Sequence, residues 1–258
     1  GDIGAADSLA TCFSHGPVDA VFHAAARAGV RPSISEPASY MRVNVQHTAS
    51  LAEAMLSHGC KRMVFASSSS VFGAQCTGPL SESAPKDRPV SPYAASKRAA
   101  ELALYAACAT SELSVTTLRF FTVYGPRQRP TMAFHKFATM MSRGQPVTLY
   151  GDGTTARDYT YVGDVVTAVV SAIDRVDGYA EYNIGSNSPV TLIHAVEELA
   201  DALNVEPTIV HLPDQAGDVP HTWANPAAAR QALGLPSATS LKQGLRLFAR
   251  WFECSGVR

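Results

Sequence analysis

Tyr93 and Lys97 stand four residues apart in Ser91-Pro92-Tyr93-Ala94-Ala95-Ser96-Lys97, and a serine run at 67–70 precedes them by about one strand and one loop. On a helix, positions i and i+4 share a face. A lysine ammonium on that face can lie beside the tyrosine hydroxyl and favour its phenolate, lowering a pKa that is ordinarily about 10. A serine hydroxyl placed opposite can hydrogen-bond the oxygen that loses or regains the proton. Such a trio is equipped to move a proton at a secondary alcohol while a hydride leaves or returns at the same carbon. Exposed helices also contain Tyr-x-x-x-Lys by chance, so the pair takes its meaning from the elements that position it.

Those elements alternate. Apolar stretches and helical patterns succeed one another, which predicts a parallel α/β sheet. A strand is expected over 18–25 and a helix over 38–58, where Tyr40, Val43, Leu51, Met55 and Leu56 recur at helical spacing before Gly59. The next strand, 62–66, runs into the serines and so puts them at a sheet's carboxyl edge, where α/β folds bind ligands. A helix over 91–111 opens with Ser91 as N-cap and Pro92 in the first turn. A strand follows at 114–121. Beyond Pro130 the alternation loosens into a helix near 134–142, a strand at 147–150 and a glycine turn at 151–153. Strands at 179–185 and 208–212 and helices at 191–203 and 241–252 complete the pattern.

At 258 residues the chain can bury a full core. With 46% apolar residues, 17% charged residues and a net charge of −1, its composition does not suggest a basic surface for nucleic acid. Cys12, Cys60, Cys76, Cys108 and Cys254 are scattered and form no Cys-x-x-Cys, so they read as free thiols of a reducing cytoplasm and not as a disulfide frame or a metal site. No uninterrupted apolar run reaches the roughly 20 residues of a membrane helix.

The motifs, taken in order, resemble the extended branch of the short-chain dehydrogenase/reductase family, the nucleotide-sugar epimerases and dehydratases. They are Gly1-Asp2-Ile3, Val21-Phe22-His23-Ala24-Ala25-Ala26, Asn44-Val45, the segment 64–73 with its serines, and the Tyr93/Lys97 pair. Leu118-Arg119-Phe120-Phe121-Thr122-Val123-Tyr124-Gly125-Pro126, Arg157-Asp158-Tyr159, Asp164-Val165 and Gly217-Asp218-Val219 follow. The resemblance implies a Rossmann-like doubly wound sheet (1–129 and 155–187) with a smaller α+β nucleotide-sugar part (130–154 and 188–258). It implies retained NAD, which oxidises the C4 hydroxyl of a nucleotide sugar to a ketone and re-reduces it on the other face. Tyr93 would be base and acid, with Lys97 lowering its pKa and bonding the nicotinamide ribose. Ser68 aligns with the catalytic Ser/Thr, with Ser67 and Ser69 as alternatives. Asp2 and Ile3 match the adenine-contacting pair, and Ala24, Ala25 and Ala26 allow close approach of the cofactor. Asn44 would brace the sheet or touch the cofactor. His47 precedes Thr48 where the family often has Gly, a departure in this helix's packing.

For the substrate, the resemblance implies Arg157 on the diphosphate, Asp218 on the ribose, Thr122 on sugar or phosphate, and further contacts from Ser69 and Tyr150. Dehydratases of this kind carry an acid just after the catalytic hydroxyl, because eliminating water needs another acid–base group. Ser69 and Ser70 supply only hydroxyls, which favours epimerisation. The segment Thr122-Val-Tyr-Gly-Pro-Arg-Gln-Arg-Pro-Thr-Met-Ala133 resembles UDP-glucuronate 4-epimerases, whose second arginine faces the sugar carboxylate. That is Arg129, a guanidinium able to hold both oxygens in one plane; Thr131 departs from the usual Asp, and Arg31 is a second candidate. UDP-glucose 4-epimerase is the alternative substrate reading. A dinucleotide fold opens with strand, glycine-rich turn and helix, and an acid about 20 residues on. Neither is in this sequence, and by resemblance roughly 55–60 residues precede it in the family. The chain therefore reads as a fragment of a longer enzyme, or alternatively as a non-catalytic nucleotide-binding remnant. The alanines of helix 91–111 (Ala95, Ala99, Ala103, Ala106) suit close helix packing, and the resemblance implies a homodimer through it.

Overall fold

The computed structural model describes residues 1–74, 78–213 and 219–256. Four parallel strands form the main sheet in the order β1 (Val21–His23), β2 (Arg62–Ser68), β3 (Ser114–Phe120) and β7 (Tyr179–Ile184). Strand β2 is buried from Met63 to Ser68, as expected of a parallel strand covered on both faces. Its alternation divides the core. Met63 and Phe65 pack with Leu9, Leu51, Met55 and Leu104 from α1 (Ala6–Ser14), α4 (His47–Ser57) and α5 (Pro92–Thr110). Val64 packs on the other face with Val165, Ala168, Ala172 and Leu233 from α7 (Val162–Ile173) and α9 (Ala227–Leu233). Each large apolar side chain buried this way contributes about 1.5–3 kcal/mol. The result is the three-layer doubly wound arrangement expected of alternating strands and helices.

A second core lies beyond the carboxyl edge of that sheet. It joins α6 (Ala133–Ser142), α8 (Leu192–Leu203) and α10 (Leu241–Cys254) through Phe134, Phe137, Val196, Leu199, Leu245, Phe248 and Phe252. Tyr124 of β4 (Thr122–Tyr124) and Tyr159 of β6 (Ala156–Tyr161) enter the same core. Strand β6 pairs parallel with β4 and antiparallel with β8 (Pro189–Thr191), while β5 (Val147–Tyr150) and β9 (Ile209–Leu212) form a separate parallel pair.

The helix expected over 38–58 begins at Pro37 as α3 (Pro37–Met41), following α2 (Val30–Ser35), and passes through one π turn, Arg42–Gln46, into α4. Such turns are wider than the α-helix and recur at functional sites; this one buries Asn44 to 1% exposure. The departure at His47 has a local answer. Its ring lies so close to Gly4 that an added Cβ would sit 2.2 Å from it, so glycine at that position makes room for the ring. Among the described residues no helix is long and apolar enough to cross a membrane.

Candidate active site

Strand β2 ends at Ser68, and α5 starts with the Ser91 hydroxyl accepting from the Ala94 N–H at 3.1 Å. Tyr93 therefore stands in a first helical turn, where the dipole favours an anion. The Ser68 hydroxyl lies near enough to favour the ionised form of its phenol. Ser68 Oγ also caps the short turn that follows, accepting from the Ser70 N–H at 3.2 Å. Ser67 is committed elsewhere: its hydroxyl donates to Glu101 Oε1 at 2.6 Å, inside a buried Glu101–Arg119 pair. Of the two expected alternatives to Ser68, Ser67 is thus occupied, and Ser69 faces a neighbouring cleft.

Lys97 departs from the sequence expectation. Its Nζ donates to the Ala66 carbonyl at 2.8 Å and lies 4.9 Å from the Phe65 ring centroid. A buried ammonium needs an acceptor, and the end of β2 offers one. Burial lowers the Lys97 pKa to about 8, with Glu101, one helical turn on, pulling it back up. The Tyr93 phenol is pushed above its ordinary value, chiefly by burial; Ser68 and the charge of Arg129 pull it down, and Tyr40 pushes it up. The direction is opposite to the one expected from a Lys97–Tyr93 pairing. Enclosure removes the water that would solvate the phenolate, and the lysine's proton is directed at a carbonyl.

Asn44 is a brace. Its Oδ1 accepts from the Arg27 N–H at 2.8 Å, and its Nδ2 donates to the Arg27 carbonyl and to Ser96 Oγ, both at 2.9 Å. Ser96 in turn donates to the Tyr93 carbonyl at 2.8 Å. This chain of bonds ties the loop after β1 to the helix that carries the phenol. Ala24 and Ala25 are exposed at the carboxyl end of β1, so small side chains leave that edge open to a flat group. Ile3 packs on the first core, whereas the Asp2 carboxylate is exposed, accepts from the Gly4 N–H at 2.8 Å and lies 3.9 Å from His47 Nδ1. An open alanine edge, tied through Asn44 and Ser96 to the helix of Tyr93 and Lys97, leaves room for a flat cofactor group.

A cleft of about 180 Å³ adjoins this edge and brings together Ser69, Thr122 and Arg157 with Val30, Ser91 and Thr222. Arg157 Nη1 donates to the carbonyls of Ala156 and Pro220 at 3.0 and 3.2 Å. Tyr150 stands apart from this lining, at the end of β5, 5.4 Å from the Arg31 guanidinium above its ring. Arg129 is exposed on the loop between β4 and α6. Asp218 lies outside the described residues.

Three positioning groups escaped the sequence reading. Asp158, between Arg157 and Tyr159, is fully buried and accepts from Ser186 N–H and Oγ (both 2.7 Å) and from the Asn187 and Ala224 N–H groups (both 3.0 Å). An acid set between Arg157 and Tyr159 in a motif of the resemblance was its signal. Glu101, two turns after Tyr93, and the pair Gln128 and His135 carried no comparable one.

A parallel sheet with Ser, Tyr and Lys at its carboxyl edge, facing a second core across a cleft, defines an enzyme of the α/β class. Residues 1–185 match the NAD dependent epimerase/dehydratase family, and the chain belongs to it. It is 35% identical over 251 residues to the UDP-glucuronate 4-epimerase of Thermodesulfobacterium geofontis, covering 97% of this chain and 77% of that protein. It is similar in structure to MoeE5 in complex with UDP-glucuronic acid and NAD (TM-score 0.92, 41% identity, 99% of this chain and 85% of that one). The UDP-glucose 4-epimerase of Thermotoga maritima with UDP-glucose is also similar (TM-score 0.94, 31% identity, 99% and 84%).

Proposed function

We propose that the chain acts as an NAD-dependent 4-epimerase that interconverts UDP-glucuronate and UDP-galacturonate. The observation that carries this reading is Arg129: an exposed guanidinium without a carboxylate partner among the described residues, close enough for its charge to act on the Tyr93 phenol. A cation beside the expected base suits a sugar that carries a carboxylate two carbons from the reacting position.

Ala24, Ala25, Ala26, Asp2 and Ile3 would hold NAD, which when bound accepts and returns a hydride at the sugar carbon. Tyr93 takes the proton of the C4 hydroxyl and later gives it back. Ser68 holds the same oxygen by a hydrogen bond, and Lys97 keeps a positive charge beneath it. Arg157 and Thr122 bind the diphosphate and Ser69 a sugar hydroxyl, while Tyr150 and Asp218 complete the nucleotide-sugar contacts. The absence of an acid at Ser69 and Ser70 supports epimerisation over loss of water.

The cofactor part is then 1–129 and 155–187, which also lends Ser69, Thr122, Arg129 and Arg157 to the substrate, and the nucleotide-sugar part is 130–154 and 188–258. Free thiols at Cys60 and Cys108 suit a cytoplasmic setting. A second copy of the chain is the proposed partner of α5, where Leu102 and Tyr105 are 51% and 56% exposed on one face. Leu102→Glu should shift the sedimenting species from dimer to monomer; a native chain that sediments as a monomer removes the proposal.

UDP-glucose is the rival substrate, and one variant separates the two. Arg129→Ala should cut kcat/KM for UDP-glucuronate by about 100-fold, the scale of a lost charge-assisted bidentate contact, and UDP-glucose turnover far less. Equal losses on both sugars would end the carboxylate assignment.

A further inference from the structure

We infer that His135, through Gln128, is a positioning residue that sets the selectivity of Arg129 for a carboxylate-bearing sugar; the inference rests on the uronate reading above. The loop that carries Arg129 enters at Gly125 with φ 140° and places a non-glycine residue, Arg127, at φ 65°. A side chain in the left-handed region is disfavoured, and such a backbone keeps its shape only where its surroundings hold it.

His135 supplies that hold. It is 2% exposed, in the first turn of α6, and its Nδ1 lies 2.6 Å from the Gln128 carbonyl oxygen. A carbonyl only accepts, so the ring donates from Nδ1. The His135 backbone N–H donates to Gln128 Oε1 at 3.1 Å, and Gln128 Nε2 donates to the Val123 carbonyl at 3.3 Å. Gln128 is thus fastened to α6 at two points and to β4 at a third. The His135 ring meets Trp251 and Phe252 of α10 edge-on, with centroids 5.7 and 5.6 Å away, which denies it room to turn. The next residue is Arg129. Its carbonyl accepts from the Met132 N–H at 3.0 Å, while its guanidinium bonds, among the described residues, to Met132 Sδ alone, at 3.7 Å. The peptide is fixed and the charged end is free, the combination a planar two-oxygen contact requires.

The test compares His135→Phe, which keeps an aromatic ring but removes the donor, with His135→Asn, which keeps a donor near the Nδ1 position. Arg129→Ala is measured beside them, all in the full chain with NAD. Calorimetry gives the dissociation constants of UDP-glucuronate and UDP-glucose, and thermal melting reports folding. H135F should reduce the preference for UDP-glucuronate about tenfold, with UDP-glucose affinity within about twofold, and H135N should recover most of the preference. Equal weakening for both sugars, or an unchanged preference in a folded H135F, overturns the inference while leaving a selective R129A effect intact. A non-selective R129A overturns both. If H135F melts below the assay temperature, Gln128→Ala repeats the test from the loop side with the same expected loss and the same contrary result.

Discussion

The residues of the reaction and the residue that reads the sugar are held in opposite ways. Tyr93, Lys97 and Ser68 stand on a helix turn and a strand end of the main sheet's layers, with Lys97 and Ser68 buried and Tyr93 half-buried. Arg129 stands on a loop, with an exposed side chain and a backbone fastened from the second core. Proton transfer needs an enclosed hydroxyl at a fixed distance, which regular elements provide directly. Recognition of a carboxylate needs a solvated cation that keeps its reach, which a loop provides once its peptides are anchored. Because different cores position them, reaction and selectivity should separate under mutation.

The largest separation is expected at Tyr93. Tyr93→Phe removes the proton-carrying oxygen and leaves the ring that stands edge-on to Tyr40, centroids 6.3 Å apart. Turnover should fall by about 10²–10⁴-fold, the range of general acid–base catalysis, with nucleotide-sugar affinity little changed. Single-turnover kinetics beside calorimetry checks both. A loss of only a few-fold would move the acid–base role to Ser68.

Lys97→Met should break the comparison differently, lowering activity and raising stability. The ammonium is 4% exposed and its pKa is lowered to about 8 by burial. The unfolded chain, with the ordinary lysine value of about 10.4, binds more protons between those values, so this group makes stability rise as pH climbs from about 8 to about 10.5. Below that window the folded protein bears the cost of a buried charge. Removing it should stabilise the protein at pH 7 by about 1–2 kcal/mol, less than the shift alone implies because the bond to Ala66 is lost as well. Denaturant titrations at pH 7 and 10 should show the native chain gaining on K97M as the pH rises. Loss of stability in K97M at pH 7 would mean that the Ala66 bond outweighs burial. Arg129→Ala, at an exposed site, should leave stability within about 0.5 kcal/mol.

The same contrast governs what the sequence made legible. Helix α5 and strands β2 and β3 were readable to within a residue or two because cap, proline and apolar run agree. Helix α7 was not read at all: Val165, Val166, Val169 and Val170 are β-branched and suit a strand locally, and only the packing of Val165 and Val169 with Val64 and Leu118 settles the segment as helix. Strands β4 and β8, three residues each, carry too little pattern to detect. At the site, the Tyr93/Lys97 spacing was legible, but the lysine's acceptor was not. Ala66 acts through its carbonyl, which no side-chain pattern encodes. Gln128 and His135 escaped for a similar reason, since both of the bonds between them use backbone groups.

Arg129→Lys is the smallest step and the sharpest. Lysine keeps a charge near Tyr93 and loses the planar fork. UDP-glucuronate kcat/KM should fall about three- to tenfold, between native and R129A. The pH profiles should diverge further. Arg129 pulls the Tyr93 pKa down, so deleting the charge raises it, and the limb of activity that requires phenolate should move to higher pH in R129A. R129K should keep the native limb. A limb that moves equally in both variants would mean that the fork and not the charge acts on the phenol, and the line drawn between reaction and sugar reading would have to be redrawn through Arg129 itself.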